Sequence, residues 1–274
     1  MAQTIPAFVI NLTRRPDRLE RMAAHLRDRG IAFTAIAACD AQTVPPDRLD
    51  CVIPEGGPLG RLGPGDRACT VSHTLAWQAF LETAGASHAL ILEDDVWLAE
   101  DIAATLASAT WLPHAAGPVK LEKFGAGGSK LLLGAKTGET PTGRALHPML
   151  SRHVGGGAYI LSRRMAEAAL AERGRIRVPV DHFLFNANVS AFSRRARPLL
   201  VNPAMATQRA WAYNSDIAKH GKAARPTGLA MGWRRLKRGW YEINRMPQQL
   251  AALATGHGQF QTVAFSDTPP SISS

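Results

Sequence analysis

The chain has 274 residues, of which 46% are hydrophobic and 20% charged. That suits one large α/β domain or two of average size, and it excludes disorder as the main state. Its net charge of +10 is regional: from Arg194 to Arg245 twelve basic residues stand against two acids, Asp216 and Glu242, and the rest of the chain is neutral, which points to a local anionic partner. No apolar run is long enough to span a bilayer. The N-terminus lacks the shape of a signal peptide, since Arg14 and Arg15 follow its short apolar stretch at once. Three irregularly spaced cysteines, Cys39, Cys51 and Cys69, argue against a disulfide framework and suit a reducing cytoplasm.

In chain order, Ala7 to Leu12 reads as a buried strand. Thr13 is expected to cap a helix with Pro16 and Asp17 in its first turn; Leu19, Met22, Ala23 and Leu26 follow at helical spacing, and Gly30 ends it. Ile31 to Ala38 is a second strand, and residues 41–65 read as a Pro- and Gly-rich loop. A helix is expected over Asp66 to Ala84. The apolar strand Ala89 to Leu92 then runs into three carboxylates, Glu93, Asp94 and Asp95. A helix over Glu100 to Ser108 precedes strands at Val119 to Phe124 and Lys130 to Leu133. Gly155, Gly156 and Gly157 lead into the strand Ala158 to Leu161 and the helix Arg163 to Glu172. Alternating strands and helices predict an α/β fold with a mainly parallel central sheet. The polar stretch after Thr255 reads as a disordered tail.

The acid triplet is the strongest chemical signal. It follows a buried strand, so it falls at the carboxyl edge of a parallel sheet, where open α/β folds bind ligands. Adjacent carboxylates repel and need a cation, and hard oxygen ligands select Mg²⁺ or Mn²⁺. Arg14 and Arg18, beside a helix start, suit phosphate oxygens. Gly155 to Gly157 permits close approach to the backbone, and Asp181 or His182 can serve as a base. Ser72-His73 lies within a helical segment, without the turn of a hydrolase nucleophile.

As an ordered set these pieces resemble glycosyltransferase family 25, across residues 5–218. The resemblance rests on Val9-Ile10-Asn11-Leu12 with Arg14 and Asp17-Arg18, on Gly65 to His73, on Leu90 to Val96, and on Gly157 to Ser162. It also takes in Pro179-Val180-Asp181 and, loosely, Gln208 and Ser215 to Ile217. Asp66 and Ala68 depart from the family's usual Glu and Gly.

The resemblance implies a GT-A-like α/β/α sandwich over residues 1–218; charge and apolar spacing add a basic amphipathic segment, 219–255, and a polar tail, 256–274. It implies an inverting transfer of a hexose, galactose favoured and glucose possible, from a nucleotide-diphosphate sugar, usually of uridine. The acceptor would be a saccharide or glycolipid such as lipopolysaccharide. Asn11, Leu12, Arg14, Arg18, Ser72 and His73 are expected to contact the donor, with Glu93, Asp94, Gly156 and Gly157. Asp95, helped by Glu93, is the expected Mn²⁺ or Mg²⁺ ligand. Asp181 is the expected base, with His182 as its fallback. A cytoplasmic enzyme is expected, with a peripheral place on the inner membrane face open to it. Leu229, Trp233, Leu236, Trp240 and Ile243 share a helical face beside Arg234, Arg235, Lys237 and Arg238, so residues 229–245 suit an anionic membrane surface. The competing classes are a basic nucleic-acid module, using Trp211, Tyr213, Trp233, Trp240 and Tyr241, and a metal-dependent phosphoesterase. No nucleic-acid motif occurs, and the acid triplet would be misplaced in such a module.

Overall fold

The computed structural model describes residues 4–113, 116–123, 129–208, 236–237, 239–265 and 267. In chain order the elements are β1 (Ala7–Asn11), α1 (Pro16–Arg27), β2 (Phe33–Ala37), α2 (Pro46–Asp50), β3 (Gly56–Gly57), β4 (Gly60–Arg61), α3 (Pro64–Glu82) and β5 (His88–Glu93). Next come β6 (Trp97–Leu98), α4 (Ile102–Leu106), β7 (Val119–Lys120), β8 (Glu122–Lys123), β9 (Ser129–Gly134), β10 (Gly138–Glu139), β11 (Ala145–Pro148) and β12 (Ala158–Ser162). The chain continues with α5 (Arg163–Leu170), α6 (Val180–Phe185), α7 (Ala191–Ala196), β13 (Leu199–Asn202), β14 (Ala206–Thr207), α8 (Met246–Ala254) and β15 (Gly258–Val263).

Eight strands form the central sheet, in the order β10-β11-β13-β7-β12-β5-β1-β2. All point the same way except β11 and β12, so the sheet is mainly parallel, as the pattern predicts. Side chains alternate across it. Phe8, Ile10, Ile91, Tyr159 and Leu161 pack on one side with Trp77 and Phe80 of α3. Ala7, Val9, Leu90, Leu92 and Ile160 pack on the other with Met22 and Leu26 of α1. The result is a three-layer α/β/α sandwich with two cores. Trp77 and Phe80 are fully buried, and truncating either to Ala would cost about 3–5 kcal/mol.

Several local expectations are corrected. Arg15, not Thr13, stands at the N-cap of α1, and no side chain caps it; Pro16 in the first turn needs no amide partner there. The loop over 41–65 contains α2 and the small β3–β4 hairpin. The helix expected over Glu100 to Ser108 is limited to Ile102–Leu106. The strand expected over Val119 to Phe124 divides at Leu121, whose N–H bonds Ala158 while its carbonyl accepts from Met205 and Ala206. Its first half stays in the central sheet and its second joins a three-stranded sheet, β6-β14-β8. Gly258–Val263, inside the stretch expected to be a tail, pairs antiparallel with β9. Leu229, Trp233, Arg234, Arg235 and Arg238, and likewise Trp211 and Tyr213, lie outside the described residues. No helix among the described residues is long and apolar enough to cross a membrane.

Candidate functional site

The parallel strands β1, β2 and β5 end at one edge of the sheet. Because β12 runs antiparallel to β5, its beginning lies where β5 ends: Ala158 pairs with Leu92, and the Glu93 amide donates to Gly157 O at 2.8 Å. A cleft of about 420 Å³ opens there. Leu12, Arg14, Arg18, Ser72, His73, Glu93, Asp94, Asp95, Gly156 and Asp181 all line it, so most of the candidate residues are brought together. Asn11, Gly157 and His182 do not line it.

Strand alternation sends Glu93 and Asp94 to opposite layers. Glu93 faces α3. There the indole N–H of Trp77 donates to the Tyr159 hydroxyl at 2.7 Å, and that hydroxyl lies 2.8 Å from His73 Nδ1. Because the indole can only donate, the Tyr159 proton is free to go to Nδ1, which leaves Nε2–H to face Glu93 Oε1 at 3.3 Å. The Cys69 thiol is 3.9 Å from the same oxygen, and Gln208 Nε2 donates to Glu93 Oε2 at 2.8 Å. Cys69, His73 and Glu93 are close enough to hold a metal ion together. Burial and the nearby Glu93 push the Cys69 thiol well above its ordinary range, so without a metal it stays protonated and can donate to Glu93. The trio is better described as a clamp on Glu93.

Asp94 faces α1. Asn11 Nδ2 donates to its Oδ2 at 2.6 Å, and Arg18 bridges Asp94 Oδ1 and Asp95 Oδ2, both at 2.7 Å. Arg18 has a side-chain exposure of 7%. It lines the cleft and serves as the counter-ion of the acid pair. One guanidinium does not suffice. Burial raises Asp94 to about 6 against the pull of Arg18 and Asn11. Burial, with Glu93 adding to it, raises Asp95 to about 7. Gln208 Nε2 also reaches Asp95 Oδ1 at 3.3 Å, so a single amide nitrogen serves both Glu93 and Asp95.

The glycine strip closes the floor. Gly155 has φ +94°, a conformation that favours glycine, and its N–H donates to Asp181 Oδ2 at 3.1 Å. The other Asp181 oxygen accepts from the His182 amide at 2.7 Å. A Cβ on Gly156 would lie 3.8 Å from both Asp181 Cβ and Glu93 Oε1, so the missing side chain leaves open the space between these two acids. Beneath the strip, Lys120 and Glu122 are fully buried and paired at 3.3 Å. Lys120 donates to Gly155 O and lies 4.7 Å from the Phe185 ring, while Glu122 Oε2 accepts from Gly157 N at 2.9 Å. Glu122 Oε1 has no hydrogen-bond partner among the described residues.

The remaining candidates divide. Arg14 stands at the mouth, bound to Asp40 at 2.6 Å with a side-chain exposure of 35%. Ser72 is a structural joint, donating to Ala68 O and accepting from Cys39 N. His182 accepts from Asn186 Nδ2 at Nδ1, 2.7 Å away, and sits outside the cleft, so it is not placed to act as the base. Sequence reasoning missed Lys120 and Glu122 entirely and gave Gln208 no part in the site.

A profile described as glycosyltransferase family 25 (LPS biosynthesis protein) matches residues 4–184. The lacto-N-neotetraose biosynthesis glycosyltransferase LgtB of Neisseria gonorrhoeae is 30% identical over 216 residues, covering 73% of each chain. A putative glycosyltransferase of Acanthamoeba polyphaga mimivirus is 26% identical over 168 residues, or 60% of this chain and 52% of that one. Among solved structures, a glycosyltransferase involved in glycosylation of the major capsid of PBCV-1 aligns with TM-score 0.42 at 10% identity, over 88% of this chain and all of that one.

Proposed function

Because the chain belongs to glycosyltransferase family 25, we propose that its cleft binds a nucleotide-diphosphate sugar, uridine diphosphate-galactose before the glucose analogue. The hexose passes with inversion to a saccharide acceptor such as lipopolysaccharide or another cell-surface glycan. The relative named for lacto-N-neotetraose biosynthesis supports a glycan acceptor. The observation that carries the reading is that Glu93, Asp95 and Asp181 line one cleft, with Gly156 leaving open the space between Glu93 and Asp181.

In a direct displacement the acceptor oxygen forms a bond to the anomeric carbon as the bond to the diphosphate oxygen breaks. The acceptor proton needs a base, and Asp181 is the candidate that reaches the cleft. Two backbone amides hold its carboxylate in place. Arg14 at the mouth is positioned to meet the anionic donor once it parts from Asp40. The clamp of His73, Cys69 and Gln208 fixes Glu93 against the other acids.

A divalent cation fits the donor set. Glu93 and Asp95 each direct an oxygen at one amide nitrogen of Gln208, and Asp95 is raised by charge crowding. Held by Asp95 with Glu93, Mn²⁺ or Mg²⁺ would neutralise charge on the leaving diphosphate.

The test is a donor panel that reports nucleotide release, with and without Mn²⁺ and acceptor glycans, followed by NMR of the new anomeric centre. Acceptor-dependent release from a uridine diphosphate-hexose, with inversion, is expected. No release and no melting-temperature shift with any nucleotide would overturn the reading. Acceptor-independent release would mark a phosphoesterase instead.

A further inference from the structure

The catalytic cleft draws no cation from the strongly basic stretch 194–245, among the described residues. A second cleft does. It has a volume of about 550 Å³ and lies between the β3–β4 turn, residues 175–178, the start of α7 and the segment around Lys237. Arg175, Arg177, Arg194 and Lys237 line it against one carboxylate, Glu172, which Arg195 already holds at 2.6 Å. No carboxylate among the described residues pairs with Arg175, Arg177 or Lys237, and Arg194 donates to a backbone carbonyl, Ala187 O. Among the described residues the cleft therefore presents uncompensated positive charge.

An apolar ridge adjoins it. Residues 236–237 and 239–243 are helical. Lys237 and Tyr241, one turn apart, face the cleft. At about 100° per residue, Leu236, Trp240 and Ile243 occupy the neighbouring face. They are 66%, 66% and 59% exposed, and Met246 and Leu250 of α8 extend the exposed apolar surface. Five of the seven large exposed hydrophobic residues in the described structure thus fall between positions 236 and 250. Glu242, the acid of this segment, is already bound by Arg152 and Asn188.

We propose that this face docks on an anionic lipid bilayer, with headgroup phosphates in the Arg175–Arg177–Arg194–Lys237 cleft and Leu236, Trp240 and Ile243 in the acyl boundary. Cations beside an exposed Trp and aliphatic side chains match both layers of a membrane interface. A nucleic acid would satisfy the cations, but it offers no apolar phase for Leu236 and Ile243, and single-strand binders present aromatic stacking platforms instead. The inference does not depend on the transferase chemistry, although a lipid-linked acceptor would make both useful together.

Flotation of the full chain with phosphatidylcholine vesicles, and with vesicles that also contain phosphatidylglycerol, tests it. Binding is expected only with the anionic lipid and should weaken with salt. Arg175→Ala with Arg177→Ala should lower partitioning about 30-fold, at about fivefold per cation. Trp240→Ala with Ile243→Ala should lower it at least about tenfold. All four positions are on the surface, and melting curves of the same samples report folding. Equal binding to neutral vesicles, wild-type binding by either variant, competition by soluble glycerol phosphate, or tighter binding to an oligonucleotide would each overturn the proposal. The melting shift given by uridine diphosphate, read on the same variants, separates a failure here from a failure of the transferase reading.

Discussion

Replacing Asp95 with Asn should stabilise the metal-free protein at neutral pH. Asp95 is squeezed between burial and Glu93, and its carboxyl is raised to about 7 from an ordinary 3.8. The folded state therefore binds a proton that the unfolded chain has released across that window, so this group lowers stability as pH rises from about 4 to about 7. At 1.36 kcal/mol per unit the full effect is on the order of 4 kcal/mol, and loss of the Arg18 contact offsets part of it. Arg18 keeps Asp94 as a partner in the variant. Urea unfolding of both proteins in EDTA, from pH 4 to pH 8, should give curves that converge at the acid end, with the variant about 2–4 kcal/mol ahead at pH 8. Added Mn²⁺ should reverse the order, because it stabilises the wild type alone. A variant less stable than wild type at pH 8 without metal would refute the reasoning: Arg18 pairing would then outweigh charge crowding.

Asp181→Asn should keep uridine diphosphate binding, measured by calorimetry, and lower turnover by roughly 10² to 10⁴, the usual contribution of a general base; lost donor binding would make Asp181 a donor ligand. Gln208→Ala removes the amide shared by Glu93 and Asp95 and should cost about 1–3 kcal/mol in EDTA, with Mn²⁺ restoring most of it in a melting assay. Lys120→Met strands a buried carboxylate and should cost about 3–5 kcal/mol in denaturant unfolding. Adding Glu122→Leu to that variant should recover part of the loss.

The sequence made the frame of the site readable where local chemistry is dense. An apolar run that ends in three acids marks both a buried strand and the edge on which it stops, and alternation correctly separates Asp94 from Glu93. Other features depend on partners far along the chain. The role of His73 is defined by Tyr159, 86 residues away. Lys120 and Glu122 alternate with Val119 and Leu121 as if on a solvated strand face, and nothing local shows that the glycine strip covers both. Nothing local to Arg18 shows that it also bridges Asp94 and Asp95. Gly258–Val263 carries Gln259, Gln261 and Thr262, too polar to announce a strand until β9 supplies its partner.

The reversed direction of β12 governs how the site can vary. Glu93 sits on the last residue of one central strand, and the glycine strip beside Asp181 leads into the next. The amide of Glu93 is bonded across this seam to Gly157, and that of Gly157 to the buried Glu122. Such amides are expected to exchange with solvent only in the deepest opening of the domain. The position of Glu93 against the glycine strip is thereby gauged by strand register, while the rim around Asp40 and Gln42 hangs from loops. On the proposed reading, substrate preference can drift by remodelling that rim, as new keyways are cut for one lock body, without shifting the acids beneath.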